Sequence, residues 1–310
     1  MNDETPVLLM GYNRPDQMRG LIQSLSLLKP KLVLLSIDGP RADRTKDIEM
    51  VSQTRALVGE IKWNARICTR FRDTNLGLRG AVVDAVTWAN SEFGKVIVLE
   101  DDVRAGPQLL DFLDRKLEFH ATDPEIAHIN GYNLVPSDFI KRPGHDSRLS
   151  IYPESYAWAT WDRAWKEYDD KLTWARSASI SDVRDICGST VGALRWKQNF
   201  ADAAAGRIDT WAYRWLASLW GNKRLVVSPN QNLSRYQGWY GGTHTFRKLK
   251  VKEPEIKKLL GIEPSYKELN PDADSDEWLG RNVFSETWSG VFSGSIVSTV
   301  LSFKKRISDR

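Results

Sequence analysis

At 310 residues, with 27% charged and 41% hydrophobic side chains, the chain can bury a sizeable core and does not have the composition of a disordered or membrane-embedded protein. A formal net charge of +4 is small and dispersed, which argues against nucleic acid as a partner. Cys68 and Cys187 show neither metal-ligand nor redox spacing, Met1-Asn2-Asp3-Glu4 lacks the apolar core of a signal peptide, and no apolar run reaches membrane-spanning length. The expected location is therefore cytoplasmic.

In chain order, Pro6 to Tyr12 reads as a buried strand that breaks at Asn13-Arg14-Pro15, where Asn13 suits a helix cap and Pro15 a first helical position. Met18, Leu21, Ile22, Leu25 and Leu28 recur at helical spacing, and Leu32 to Ile37 forms a second apolar run ending in Asp38-Gly39-Pro40. A polar helix over roughly 43–58 and a strand near 65–71 precede Asn75 to Gly80, a turn that opens a helix. Val96-Ile97-Val98-Leu99 is the pattern of a central parallel strand, and Glu100-Asp101-Asp102 follows it directly. Ile126 to Asn133 reads as a short strand and turn, 134–150 as a surface loop, and Tyr156 to Trp165 as an aromatic stretch entering a helix. Residues 180–205 are expected to be helical. Asp209 then caps a helix carrying Trp215, Leu216 and Leu219, and Leu225 to Pro229 is a last strand. A Gly- and Tyr-rich loop runs from Asn232 to Thr245, and Phe292, Ile296, Val300 and Phe303 give the tail an amphipathic helical stripe.

Alternation of strand and helix predicts a doubly wound α/β fold, in which ligands bind beyond the carboxyl ends of the strands. Asn13-Arg14, Asp38, Asn75 to Arg79 and Glu100 to Asp102 all fall at such ends. Carboxylates there can hold a base or ribose hydroxyl, an arginine can pair with phosphate, and three adjoining acids call for a divalent cation. Taken singly, Asp38 and Asn13 are better explained as turn and cap residues.

Asn13-Arg14, Ser36-Ile37-Asp38 and Val98 to Val103 together resemble the glycosyltransferase A fold, and more closely its N-acetylglucosaminyltransferase I-like branch. The resemblance continues through Pro107, Asp111-Phe112, Asp123-Pro124, Tyr156-Ala157-Trp158, Asp209-Thr210-Trp211 and a final loop, over roughly residues 6–245. It implies a Rossmann-like, mixed and mostly parallel sheet flanked by helices. The catalytic domain would span 1–245, and a C-terminal helical and loop appendage 246–310.

The activity implied is metal-dependent, inverting transfer from a nucleotide-sugar, a UDP-sugar by resemblance, to a glycan hydroxyl by direct displacement. Asn13, Arg14, Asp38, Asn75, Arg79, Glu100 and Asp101 would bind the donor. Asp102, with His244, would hold Mn²⁺ or Mg²⁺, and Tyr156 and Trp158 would stack on sugar. Asp209 would be the base, although the family's acidic pair is reduced here to Asp209-Thr210, so a helix cap is the competing reading. A lipid-linked acceptor and a membrane contact through 291–306 accompany this expectation. The rivals are a silent nucleotide- or sugar-binding module and a sugar-1-phosphate nucleotidyltransferase, whose Gly-rich basic loop Gly11 to Arg14 matches poorly.

Overall fold

The computed structural model describes residues 2, 4–237, 254–266 and 270–295. The strands are β1 (Val7–Gly11), β2 (Leu32–Ile37), β3 (Arg66–Phe71), β4 (Lys95–Glu100), β5 (Val103–Ala105), β6 (Ile126–Asn130), β7 (Ser147–Ser150), β8 (Ala157–Trp161), β9 (Leu225–Pro229) and β10 (Ser234–Tyr236). The helices are α1 (Pro15–Leu25), α2 (Thr45–Ala56), α3 (Gly77–Phe93), α4 (Leu109–Phe119), α5 (Asp162–Trp165), α6 (Thr173–Ser177), α7 (Ile180–Cys187), α8 (Thr190–Ala204), α9 (Ala212–Gly221) and α10 (Ala273–Asn282). Eight strands form one sheet in the order β3-β2-β1-β4-β8-β6-β9-β7, and β10 pairs with β5 beside it. Within the large sheet only β8 and β7 run against the rest. The mixed, mostly parallel α/β architecture expected is the one the chain adopts.

Continuous apolar runs in β1, β2 and β4 are buried on both faces, as parallel central strands require. The stripe of α1, with Met18, Leu21, Ile22 and Leu25 buried, belongs to the same core, and Pro15 opens the helix as expected. Asn13 is not its cap: the side-chain amide goes to Asp47 Oδ1 at 2.8 Å instead. A second core gathers Trp196, Phe200, Trp220 and Leu279 from the later helices with Tyr152 from the segment after β7.

Two segments depart from the sequence reading. Residues 134–150 are not all surface loop, because Leu134 and Val135 are buried and β7 pairs with β9 at the sheet edge. Tyr156 to Trp165 contains a strand, β8, wedged antiparallel between β4 and β6, before the short helix α5. The helical region 180–205 is two helices, separated at Gly188. The expected appendage is not set apart: Leu259 joins the main core, Leu279 of α10 the second, and Ile256 bridges to Asn232. His244, with Gly241 and Gly242, and the tail from 296 onward lie outside the described residues, so most of the 291–306 stripe does too. No described helix is long and apolar enough to cross a membrane.

Candidate functional site

β2, β1 and β4 are neighbours, and their carboxyl ends bring Asp38, Tyr12-Asn13-Arg14 and Glu100-Asp101-Asp102 to one sheet edge. A cavity of about 380 Å³ lies there, within the size range of small-molecule pockets. Leu78, Ala81 and Val82 of α3 give it an apolar side. Arg14, Arg41, Arg72, Asp38, Asn75, Asp84, Glu100 and Asp101 supply its polar lining.

Asp38 fastens the turn between β3 and α3. Its Oδ1 accepts the amide N–H of Gly39 at 2.8 Å and of Leu76 at 2.9 Å, and its Oδ2 accepts Asn75 Nδ2 at 2.8 Å. Burial raises the pKa of this carboxyl, while the backbone donors pull it back. The fit depends on Gly39, where a Cβ would overlap the backbone of Thr74. Gly77 (φ 72°) turns the chain into α3 in a conformation that costs other residues steric strain.

Glu100, Asp101 and Asp102 face Arg14. The guanidinium is bidentate on Asp101, with Nε at 3.1 Å from Oδ2 and Nη2 on Oδ1, and its Nη1 donates to Asp102 Oδ2 at 3.1 Å. Burial pushes Asp101 up to about 7 against the pull of Arg14, and Glu100 is raised by burial and by repulsion from Asp102 and Asp101. The sequence reading gives Asp102 to a cation and Arg14 to the donor. In the structure Asp102 is 3% exposed, and Arg14 is engaged with the acids. Three carboxylates on one turn cannot stay charged side by side without a countercharge, and Arg14 is the nearest one.

A divalent cation at this tip needs a hard oxygen without a partner. Asp102 Oδ1 is such an atom, buried and without a hydrogen bond, beside Glu100. No three His, Cys, Asp or Glu side chains converge as a cation site among the described residues. Toward a cation the described residues therefore offer one unmatched, buried oxygen at this turn, Asp102 Oδ1, and no all-protein cage.

The other side of the cavity is basic and was not legible in the sequence. Arg72, on the cavity, and Arg70, on the neighbouring hollow, both clasp Asp84 of α3 bidentately. Arg41 pairs with Asp47 at 2.5 Å, and Asp47 also accepts Tyr12 Oη at 2.5 Å, contacts that hold its carboxyl well below the usual range. These groups come from a loop, a helix and a strand with no shared motif, so only the folded chain assembles them.

Arg79 is on the same helix but does not line the cavity. Its Nε bonds Asp209 at 2.7 Å and its Nη1 bonds Asp170 at 2.6 Å, in a neighbouring hollow. Asp209 is not the cap of α9, which begins at Ala212; Thr210 Oγ1 accepts the Ala212 N–H at 3.2 Å. The Asp209 side chain is 60% exposed. Trp158 cannot stack on sugar: it is 0% exposed, parallel to His128 at 5.0 Å and to Trp211 at 5.2 Å. Tyr156 is half-buried between Tyr132 and Tyr236, with centroids 5.0 and 4.2 Å away. Burial chiefly raises the pKa of Tyr156, and Tyr236, Glu154, Glu100 and Asp102 add to it. Gln237 N donates to Asp102 O at 2.8 Å, so the segment leading to the Gly-rich loop starts on the acidic turn.

No family model matches the chain, and no curated protein is similar to it. Solved structures with a partial likeness include HddC from Yersinia pseudotuberculosis (TM-score 0.31, 15% identity, 53% of this chain and 78% of that one). Mouse xyloside xylosyltransferase 1 in its apo form matches with TM-score 0.34 and 11% identity, over 70% of this chain and 81% of that one. A mannose-1-phosphate geranyltransferase from Thermus thermophilus matches with TM-score 0.30 and 13% identity, over 73% of each chain.

Proposed function

We propose that the chain is a glycosyltransferase that binds a nucleotide-sugar, a UDP-sugar by resemblance, in the cavity beyond β1, β2 and β4. The observation that carries this reading is the meeting of Asp38, Asn75, Glu100 and Asp101 on one pocket at the strand ends. Asp38 Oδ2 retains accepting capacity for a ribose or base group, and Asn75 is oriented by it. Arg14 places a cation where a diphosphate leaving group would gather charge.

Asp102 would hold Mn²⁺ or Mg²⁺ through Oδ1. When bound, the ion would act as a Lewis acid toward the departing diphosphate. Asp209, oriented by Arg79, would take the proton of the acceptor hydroxyl, and attack from that side would invert the anomeric carbon. The acceptor is a glycan hydroxyl. A second reading, a silent nucleotide- or sugar-binding module, is favoured by the ion pairs that already occupy Arg14 and Asp209.

Calorimetric titration with UDP, with and without Mn²⁺, tests the proposal together with UDP release from a panel of UDP-sugars. The expected result is binding tightened roughly tenfold or more by Mn²⁺, about 1.4 kcal/mol, with slow UDP release. Equal affinity with and without the ion would assign the countercharge to Arg14 alone. Binding without turnover would favour the silent module, and no UDP binding would reject the reading. Asp209→Ala is expected to keep UDP binding and lose transfer; retained transfer would remove Asp209 from the base role.

A further inference from the structure

Asp47 belongs to α2 and does not line the donor cavity. Its side chain is 7% exposed, yet its carboxylate gathers three side chains of residues that do line the cavity, from two different strand ends. After β1, Tyr12 Oη donates to Oδ2 at 2.5 Å and Asn13 Nδ2 to Oδ1 at 2.8 Å. After β2, Arg41 donates from Nε to Oδ2 at 2.5 Å and from Nη2 to Oδ1 at 3.2 Å. The same guanidinium lies over the Tyr12 ring, 5.6 Å from its centroid. One buried acid thus ties two planar groups into a stack at the cavity and matches the guanidinium's charge.

A guanidinium gripped at its edge by a carboxylate keeps its face for stacking, and Arg41 keeps 39% of its side chain in solvent. Strand order spaces the rest of the cavity. From β2 through β1 to β4, Arg41 stands at the β2 end with Asp38, and Arg14 and the acidic turn stand at the β1 and β4 ends. A diphosphate drawn toward Arg14 and a ribose hydroxyl on Asp38 leave the β2 end for the base. Leu78, Ala81 and Val82 give the same cavity the apolar side that a flat heterocycle also needs.

We infer that Arg41, backed by Tyr12, is the stacking plane for the nucleobase of the donor, and that Asp47 is the positioning residue that holds this plane in place, an assignment that rests on the donor reading above. Arg41 then serves the base and not the diphosphate. Asp47 acts at a distance, through the three side chains it joins, and touches no part of the nucleotide itself.

Calorimetric titration of the full chain with UDP, and displacement of UDP by uridine, separate base from diphosphate. Arg41→Gln and Asp47→Asn are each expected to weaken uridine and UDP by the same factor, roughly fivefold or more, the order of a lost base-stacking contact. The ratio of the two affinities, which reports the diphosphate, is expected to stay at its wild-type value. Arg41→Lys keeps the charge and loses the plane, so it is expected to bind as poorly as Arg41→Gln. A role confined to the fold would lower Tm and leave both affinities unchanged, so Tm is read on the same samples. UDP weakened with uridine unchanged, or UDP binding restored in Arg41→Lys, would give Arg41 to the diphosphate and overturn the inference. Wild-type affinities in Arg41→Gln, or no displacement by uridine in wild type, would overturn it and leave the donor reading standing; wild-type affinities in Asp47→Asn alone would remove the positioning role. No UDP binding by wild type would reject the donor reading and the stacking plane with it.

Discussion

Arg14 bridges two buried carboxylates while keeping 36% of its own side chain in solvent. Removing one partner of a buried ion pair costs about 3–5 kcal/mol because the other charge is stranded. Solvent access and the option of protonating Asp101 reduce that here, so Arg14→Ala is expected to cost roughly 2 kcal/mol. Chemical unfolding at neutral pH measures it. The same variant sharpens the cation question, since three carboxylates without a guanidinium should accept a divalent ion more readily. Millimolar Mn²⁺ is expected to raise the Tm of Arg14→Ala by more than that of wild type, and an equal response would remove the acidic turn as a cation site. At this scale the sequence exposes what sits at strand ends: Asp38, Asn75 and the acidic triplet are visible because apolar runs stop at them. It does not expose the pairings. Nothing in the spacing of Arg14 and Asp102, or of Arg79 and Asp209, says that each pair meets, because those contacts depend on which strands are neighbours and how α3 packs.

The element on which the cavity depends most is the crossing of two turns, the one after β2 and the one before α3. Gly39 lets Thr74 pass against it, and Asp38 then reaches the amides of Leu76 and Gly39. A methyl group at Gly39 must displace backbone, not a pliable side chain. Gly39→Ala is therefore expected to cost roughly 1–3 kcal/mol, the range for overpacking, and to weaken UDP binding by moving Asp38 and Asn75 together. Gly59→Ala, at an exposed glycine with open space around it, is the control, and its stability should match wild type. Denaturant midpoints and UDP titration of both variants settle the point; unchanged UDP affinity in Gly39→Ala would show that the turn crossing does not position the pocket.

Elements themselves were legible where one periodicity dominated. β1, β2 and β4 are uninterrupted apolar runs, and α1 has a clean stripe. β8 was hidden because Trp158, Trp161 and Trp165 repeat at three- and four-residue intervals, so a buried strand flowing into a short helix imitates one helix. β7 was hidden because Ser147, Arg148 and Ser150 are polar yet buried. Their side chains are satisfied by Tyr266, Asn133, Ser275 and Asp276, partners far away in sequence.

For the molecule as a whole, buried acids that keep their protons set the pH response. Burial pushes Glu154 up to about 8 and Asp276 up to about 7, each against the pull of Arg148; Ser150 Oγ and Ile151 N also donate to Asp276, and Asp272 repels it. In the unfolded chain both acids ionise near pH 4. Between those limits the folded state binds more protons than the unfolded one, so stability falls as pH rises. His128 acts in the opposite direction. Buried and held neutral, with its pKa lowered to about 3, it favours the folded state increasingly as pH rises from about 3 to 6.5, and its contribution is constant above that.

The window from pH 6.5 to 8.5 therefore follows the buried acids, with Asp101, raised to about 7, titrating alongside Glu154 and Asp276. Stability is expected to drop across it by on the order of 2 kcal/mol, most of it from Glu154, with a Tm lower by several degrees. Calorimetric scans at the two pH values check the drop, and Glu154→Gln, which cannot ionise, should remove the larger part of it. A Tm that holds steady or rises between pH 6.5 and 8.5 in wild type would mean that Glu154 reaches solvent or a partner in the folded chain.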